Sequence, residues 1–275
     1  MLLKKNTKVQ LFADLHHKKE PFILANAWDA ASARAFEKAG FSAIGTTSAG
    51  IAASRGYSDG QNIPLAEMLD SVRQILLGTT LPVSVDIEAG FGKNHEEVVQ
   101  VLEKLISLGA VGINLEDGTW NEACPITPLE EQVNKIRTIR DEISSEYLWI
   151  NARVDVFYLG LLEREAALKE TIKRANAYLE AGANSIFVVV NDRDVISTLI
   201  REIKAPINLL ANSKLPPIPE LKELGVSRVS LGSAPMRATL GLLKKISREL
   251  LDFGTYESLT NDAVSYSDLQ KFFNE

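Results

Sequence analysis

The sequence predicts an α/β chain folded as one (β/α)8 TIM barrel, and three observations predict it. Eight short apolar segments rich in β-branched residues recur along its 275 residues. Stretches with apolar residues at three- and four-residue spacing, the period of an amphipathic helix, separate most of them. Four segments also follow a shared junction, "KAGFSAIG", "SLGAVGIN", "EAGANSIF" and "ELGVSRVS", in which helix end, glycine, short loop and strand succeed one another.

In chain order the expected strands are FILANAW (22–28), SAIGTTS (42–48), PVSVDIE (82–88), VGINLED (111–117), LWINARVD (148–155), SIFVVV (185–190), PINLLA (206–211) and RVSLG (228–232). Expected helices between them include 30–40, 95–109, 163–182 and 218–225. Gly40, Gly109, Gly182 and Gly225 stand where a residue just past a helix turns left-handed, which glycine does at little cost. Strands alternating with helices imply a parallel sheet, and eight such units close naturally into a barrel. The open doubly wound sheet is disfavoured, because no Gly-x-Gly-x-x-Gly turn follows the first strand and "GFGKN" (90–94) lacks the full spacing. Residues 1–20 read as a lead helix, and 234–275 as a helical extension beyond the barrel's need. With no low-complexity linker, residues 1–275 are expected to form one domain.

Bulk properties narrow the function classes. A formal net charge of -6, with no basic stripe and no zinc-finger spacing, argues against nucleic acid as a partner. The N-terminus lacks an apolar run long enough for a secretory core, and no segment offers the roughly 18 apolar residues of a membrane helix. A lone cysteine excludes an intramolecular disulfide framework and fits a reducing cytoplasm. The expectation is a cytoplasmic protein with no membrane and no nucleic-acid partner.

Active sites of such barrels form where the strands end. The strand ends supply Trp28 and Asp29; Thr46, Thr47 and Ser48; Asp86 and Glu88; Glu116 and Asp117; Arg153 and Asp155; then Asn191, Asn208 and Ser233. Asp86 and Glu88 lie two apart, so strand alternation would aim both at the same space. Carboxylates converging at a barrel mouth repel one another unless a proton or cation neutralises them. Hard oxygen donors without clustered His or Cys point to Mg²⁺, with Mn²⁺ as substitute, rather than zinc. A lone acid at a strand end more commonly caps the next helix or pairs with an arginine; Asp86, Glu88 and Glu116 together raise the metal alternative to equal standing. Arg153, on a core-like strand, needs a partner, either Asp155 or a substrate carboxylate. No strand end carries a lysine, so a Schiff-base aldolase is disfavoured, and the hydrolase Gly-x-Ser-x-Gly elbow is absent.

Taken together, "NAWDAASARAFEKAGFSAIGTTSAGIAASRGYSDG", "VSVDIEAGFG", "GAVGINLEDG", "INARVDVF" and "VSRVSLG" resemble the isocitrate lyase/phosphoenolpyruvate mutase superfamily, including its carboxyphosphonoenolpyruvate phosphonomutase-like members. The resemblance implies a barrel whose last helix is exchanged between subunits, and a homo-oligomer, dimer or tetramer. It implies Mg²⁺-dependent cleavage or rearrangement of a C–C or P–C bond beside a 2-oxo or 2-hydroxy carboxylate, through a pyruvate-type enolate. Residue by residue, Asp86, Glu88 and Glu116 match the metal-site acids, some acting through water, and Asp59 a further acid near the metal. Thr46, Thr47 and Ser48 match the loop that holds the substrate carboxylate, with Trp28 and Asn208 as further substrate-binding candidates on the same ring. Arg153 matches the arginine for the substrate's carboxylate or carbonyl oxygen.

The loop after the fourth strand departs from the superfamily. Isocitrate and methylisocitrate lyases carry Lys-Lys/Arg-Cys-Gly-His there, whereas this chain reads "TWNEACPITP" (119–128). Cys124 keeps the lyase cysteine's offset of eight residues from Glu116 and is the candidate acid for protonating a departing carbanion. Mutases and phosphonopyruvate hydrolases place a lysine where Glu122 stands, which disfavours phosphonate chemistry. The expected function is a carbon–carbon lyase for a small oxo- or hydroxy-acid, oxaloacetate-like decarboxylation included. The alternatives are P–C mutase or hydrolase chemistry and a non-catalytic small-molecule-binding barrel.

Overall fold

A computed structural model describes residues 7–119 and 121–274. All eight expected strands form: β1 (Phe22–Ala27), β2 (Ile44–Thr46), β3 (Val83–Asp86), β4 (Gly112–Glu116), β5 (Trp149–Val154), β6 (Ser185–Val188), β7 (Ile207–Leu210) and β8 (Arg228–Ser230). They pair in parallel in chain order, and β8 returns to β1 to close the barrel. The register sets Asp86 opposite Asn114, and Glu116 opposite Arg153.

Helix α1 (Thr7–Leu15) precedes the barrel; the first six residues of the expected lead helix lie outside the described residues. The connections carry α2 (Ala30–Lys38), α3 (Ser48–Ser54), α4 (Leu65–Leu77), α5 (His95–Leu108), α6 (Leu129–Glu142), α7 (Val156–Leu159), α8 (Arg164–Glu180), α9 (Arg193–Glu202) and α10 (Ile218–Leu224). After β8 come α11 (Ala234–Asp252), α12 (Glu257–Thr260) and α13 (Tyr266–Asn274). The four junction glycines are all left-handed, with φ of 92°, 109°, 112° and 91°. Among the described residues no helix is long and apolar enough to cross a membrane.

Strand alternation divides the core. Outward residues such as Val85, Ile113, Leu115, Ile150 and Leu209 are buried against helix residues such as Leu102 and Ile136. Below the strands, Val9, Phe12 and Leu15 of α1 join Phe22, Leu24 and Trp149 in a second apolar cluster that plugs the barrel floor. His16 stacks on Trp149 with ring centroids 4.2 Å apart, and its Nδ1 lies 2.9 Å from the Phe12 carbonyl.

The barrel interior above this plug is polar and largely hydrogen-bonded, with Ser84 Oγ and Arg228 Nε and Nη1 left without partners. Trp149 Nε1 donates to Ser185 Oγ, which donates to Asn151 Oδ1. Asn151 Nδ2 and Arg228 Nη2 both donate to Asn114 Oδ1. The plug and this network close the barrel from below, so the acids at the strand tips open only upward.

Candidate active site

At the ends of β3, β4 and β5 lies a cavity of about 120 Å³. Asp59, Glu88, Glu116 and Asp155 bring carboxylates to its lining, and Arg153 is the one cation there among the described residues. Ser48, Gly118, Thr119, Tyr158 and Leu159 complete it. Gly118 leaves room the site needs, because a Cβ there would stand 2.5 Å from Asp155 Oδ2.

Strand alternation aims Asp86 but not Glu88. β3 ends at Asp86, and Glu88 lies beyond it with a left-handed backbone, φ 50°. Its carboxylate is held instead by the Gln61 amide, which donates to Oε2 at 2.8 Å. Asp86 Oδ2 accepts from the Ser48 amide at 3.2 Å and hydroxyl at 3.0 Å. Glu116 Oε2 pairs with Arg153 Nη1 at 2.8 Å, and Asp155 Oδ1 with Arg153 Nε at 2.7 Å. Of the two partners open to Arg153 from sequence, Asp155 is present in the fold; Glu116 is a second acid that the sequence did not offer, and the guanidinium keeps only Nη2 outside these pairs. Tyr158 and Phe187 lie over it, 4.9 and 5.4 Å from ring centroid to Cζ.

One arginine against this many acids leaves the site electrostatically overdrawn. Burial, then the charges of Asp86 and Asp59, push Glu88 up to about 8. Burial raises Glu116 well above the carboxylate range even though Arg153 opposes it. Asp155 rises to about 6, also from burial. Asp59 is raised by burial and by Asp86, and its buried Oδ1 has no hydrogen-bond partner. These groups favour protons because no second cation shares the space.

Other sequence candidates have partners within the fold or stand outside the cavity lining. Asp29 caps α2, accepting from the Ser32 amide at 2.7 Å. Asp117 is buried and accepts from Tyr178 Oη at 2.6 Å and Arg174 Nη1 at 3.1 Å. Thr46 Oγ1 accepts from the Asp86 amide and Thr47 Oγ1 from the Gly50 amide, so of the expected carboxylate-binding loop only Ser48 reaches the cavity. Asn208 is fully buried and bonded to Ser230, and Trp28 packs on the core; neither lines the cavity. Cys124 is exposed, its thiol directed to the Ile126 carbonyl at 3.4 Å, and it too is outside the lining. Sequence reasoning missed Gln61 and Tyr158. The first follows Asp59 by two residues, but nothing in either residue's type marks it.

The donor set fits a hard divalent cation held through water. Among the described residues no three acids or histidines converge as a direct ligand set, because Asp86 is turned to Ser48 and Glu116 to Arg153. Mg²⁺ commonly keeps several waters and takes few protein oxygens directly. The partnerless Asp59 Oδ1 and the proton-holding Glu88 carboxyl are the groups such a cation would relieve.

A closed parallel barrel with an acid cluster and one arginine at its strand ends is the architecture of a TIM-barrel enzyme's active site. The description of the phosphoenolpyruvate phosphomutase family matches residues 12–251, and the chain belongs to that family, within the isocitrate lyase/phosphoenolpyruvate mutase superfamily. It is 37% identical over 266 residues to an uncharacterised protein of Mycobacterium tuberculosis, covering 94% of each chain. It is 28% identical over 264 residues to a 2-methylisocitrate lyase of Halalkalibacterium halodurans, covering 91% of this chain and 85% of that one. A Burkholderia cenocepacia structure described as a candidate lyase/mutase superposes with a TM-score of 0.90 at 34% identity, covering 98% and 97% of the two chains.

Proposed function

We propose that this protein is a Mg²⁺-dependent carbon–carbon lyase acting on a small 2-oxo or 2-hydroxy carboxylic acid through a pyruvate-type enolate. The observation that carries the reading is the overdrawn acid cluster: Asp59, Glu88, Glu116 and Asp155 line a cavity of about 120 Å³ with one arginine, and Asp86 stands behind Ser48, outside the lining. Bound there, Mg²⁺ supplies Lewis-acid stabilisation of developing oxygen charge.

The chain's own residues do the rest. Ser48 lines the cavity, and its hydroxyl, which donates to Asp86 Oδ2 in the free protein, turns to the substrate carboxylate once the Asp86 charge is neutralised. Arg153, packed on the rings of Tyr158 and Phe187, presents Nη2 to the oxygen where negative charge builds as the bond breaks. Glu116 and Asp155 hold that guanidinium in one orientation, so little reorganisation accompanies the charge change. Tyr158 and Leu159 line the cavity and supply its apolar side. No lysine lines the cavity among the described residues, which favours C–C over P–C cleavage.

The protein is proposed to work in the cytoplasm as a homo-oligomer. Support for a second copy comes from α11 and the segment after it, where Leu242, Leu243, Leu251 and Phe253 are exposed. The test of function is turnover of a panel of 2-oxo and 2-hydroxy di- and tricarboxylates together with 3-phosphonopyruvate, with and without Mg²⁺, scored for pyruvate, glyoxylate and phosphate. Metal-dependent release of an oxo-acid supports the lyase; phosphate release from a phosphonate, or no turnover of any member, overturns it.

A further inference from the structure

We infer that Gln61 is a positioning residue that sets the gap between Asp59 and Glu88, clamping the loop before α4 to the loop after β3; the inference rests on the acid-cluster reading above. Gln61 uses both its ends. Its backbone N–H donates to Glu88 Oε2 at 2.8 Å, and its side-chain Oε1 accepts from the Phe91 N–H at 2.7 Å. One residue therefore grips the facing loop on both sides of Ala89 and Gly90.

The backbone at this junction is strained. Four non-glycine residues have a left-handed backbone among the described residues, and three are Gln61 (56°), Glu88 (50°) and Phe91 (57°). Such conformations persist only where the surroundings over-determine them. Here the same hydrogen bonds join all three.

The two loops are not equally anchored. The Glu88–Phe91 loop is backed by the barrel wall: Lys135 Nζ donates to the Ala89 carbonyl at 3.1 Å. Gly90 and Gly92 pack so closely on α5 that a Cβ would stand 2.9 and 2.6 Å from Val98 atoms. The loop carrying Asp59 is anchored at its two ends, where Tyr57 and Ile63 pack on the core, and has no such backing between them. Asn62 Nδ2 holds the Asp59 carbonyl at 2.7 Å, but that contact lies within the same loop. Asp59 Oδ1 has no partner to locate it. The clamp thus transmits position in one direction, from the rigid Glu88 side to Asp59. Losing the Gln61 acceptor should leave the Glu88 backbone in place and let Asp59, together with the Gln61 N–H that holds Glu88 Oε2, drift from the space the two acids share.

Gln61→Met keeps the side-chain length and removes the acceptor, whereas Gln61→Glu keeps an oxygen there. Hydrogen exchange at the Phe91 amide reads the clamp directly, and titration calorimetry with Mg²⁺ reads its effect on the acids. Gln61→Met is expected to speed Phe91 exchange by about fivefold to tenfold, the worth of one hydrogen bond. Its Mg²⁺ affinity should fall by about tenfold, as loss of a group supporting metal ligands does. Gln61→Glu should retain the Phe91 protection. Unchanged Phe91 exchange in Gln61→Met overturns the clamp, and faster exchange with unaltered Mg²⁺ affinity overturns its positioning role. If the unsubstituted protein binds no Mg²⁺, the metal reading fails, and the clamp stands or falls on Phe91 exchange alone.

Discussion

Replacing Arg153 by leucine removes the one cation in the cavity lining among the described residues, and its cost should depend on pH. Arg153 is bonded to two carboxylates, Glu116 at 2.8 Å and Asp155 at 2.7 Å, both buried. Breaking a buried ion pair costs about 3–5 kcal/mol, because the remaining charge stays desolvated. These acids have an escape, since burial already raises Glu116 and holds Asp155 at about 6. Without the guanidinium both should rise further and take up protons. An acid whose folded pKa exceeds its unfolded value costs nothing below the unfolded pKa, roughly 4, and costs progressively more as pH climbs to the folded value.

At pH 8 the variant should therefore be about 4 kcal/mol less stable than the parent, a drop in Tm of roughly 10 °C for a chain of this size. At pH 5 both acids carry protons, and the deficit should shrink to about 1 kcal/mol, the loss of the cation from the rings of Tyr158 and Phe187. Thermal and urea melts of both proteins without metal, at the two pH values, give the comparison. A deficit equal at both, or larger at pH 5, would refute the reasoning.

Three further outcomes follow from the same structure. Tyr178→Phe removes a 2.6 Å hydrogen bond to buried Asp117 and should cost about 1.5–3 kcal/mol in urea unfolding; a loss below about 0.5 would show that Arg174 alone satisfies the carboxylate. His16 is buried on Trp149, and desolvation holds its pKa well below the ordinary value, so folding forces it neutral. Its contribution is complete above about pH 6.5 and is lost as pH falls below that value, so His16→Phe should flatten the stability decline between roughly pH 6.5 and 5; an unchanged slope would place the acid sensitivity elsewhere. Cys124→Ser should keep turnover within about threefold, because the thiol is exposed and outside the cavity lining; a loss of about 100-fold, the scale of general acid catalysis, would restore it as the proton donor.

Much of the fold was legible because strand and helix periods and the junction glycines are local signals. Gly40, Gly109, Gly182 and Gly225 each take the backbone their place in the repeat demands. Asp86, Glu116 and Arg153 could be aimed at the strand tips from alternation and register alone. Glu88 could not, because the strand ends first and a left-handed turn aims it. Gln61 and Tyr158 depend on loops meeting in space, which no period encodes. Thr46, Thr47 and Asn208 bear the polar side chains expected of a site; here Thr46 and Asn208 bond to neighbouring strands and Thr47 caps α3.

The central claim is that the acid cluster exists to hold a divalent cation beside a small oxo-acid. Calorimetric titration of the protein with oxalate, an enolate mimic, with and without Mg²⁺, and again with Glu88→Gln, tests it most directly. Oxalate should bind only with Mg²⁺ present, and Glu88→Gln should weaken that binding by at least about tenfold. Oxalate binding indifferent to Mg²⁺, or to the loss of the Glu88 charge, would contradict the claim.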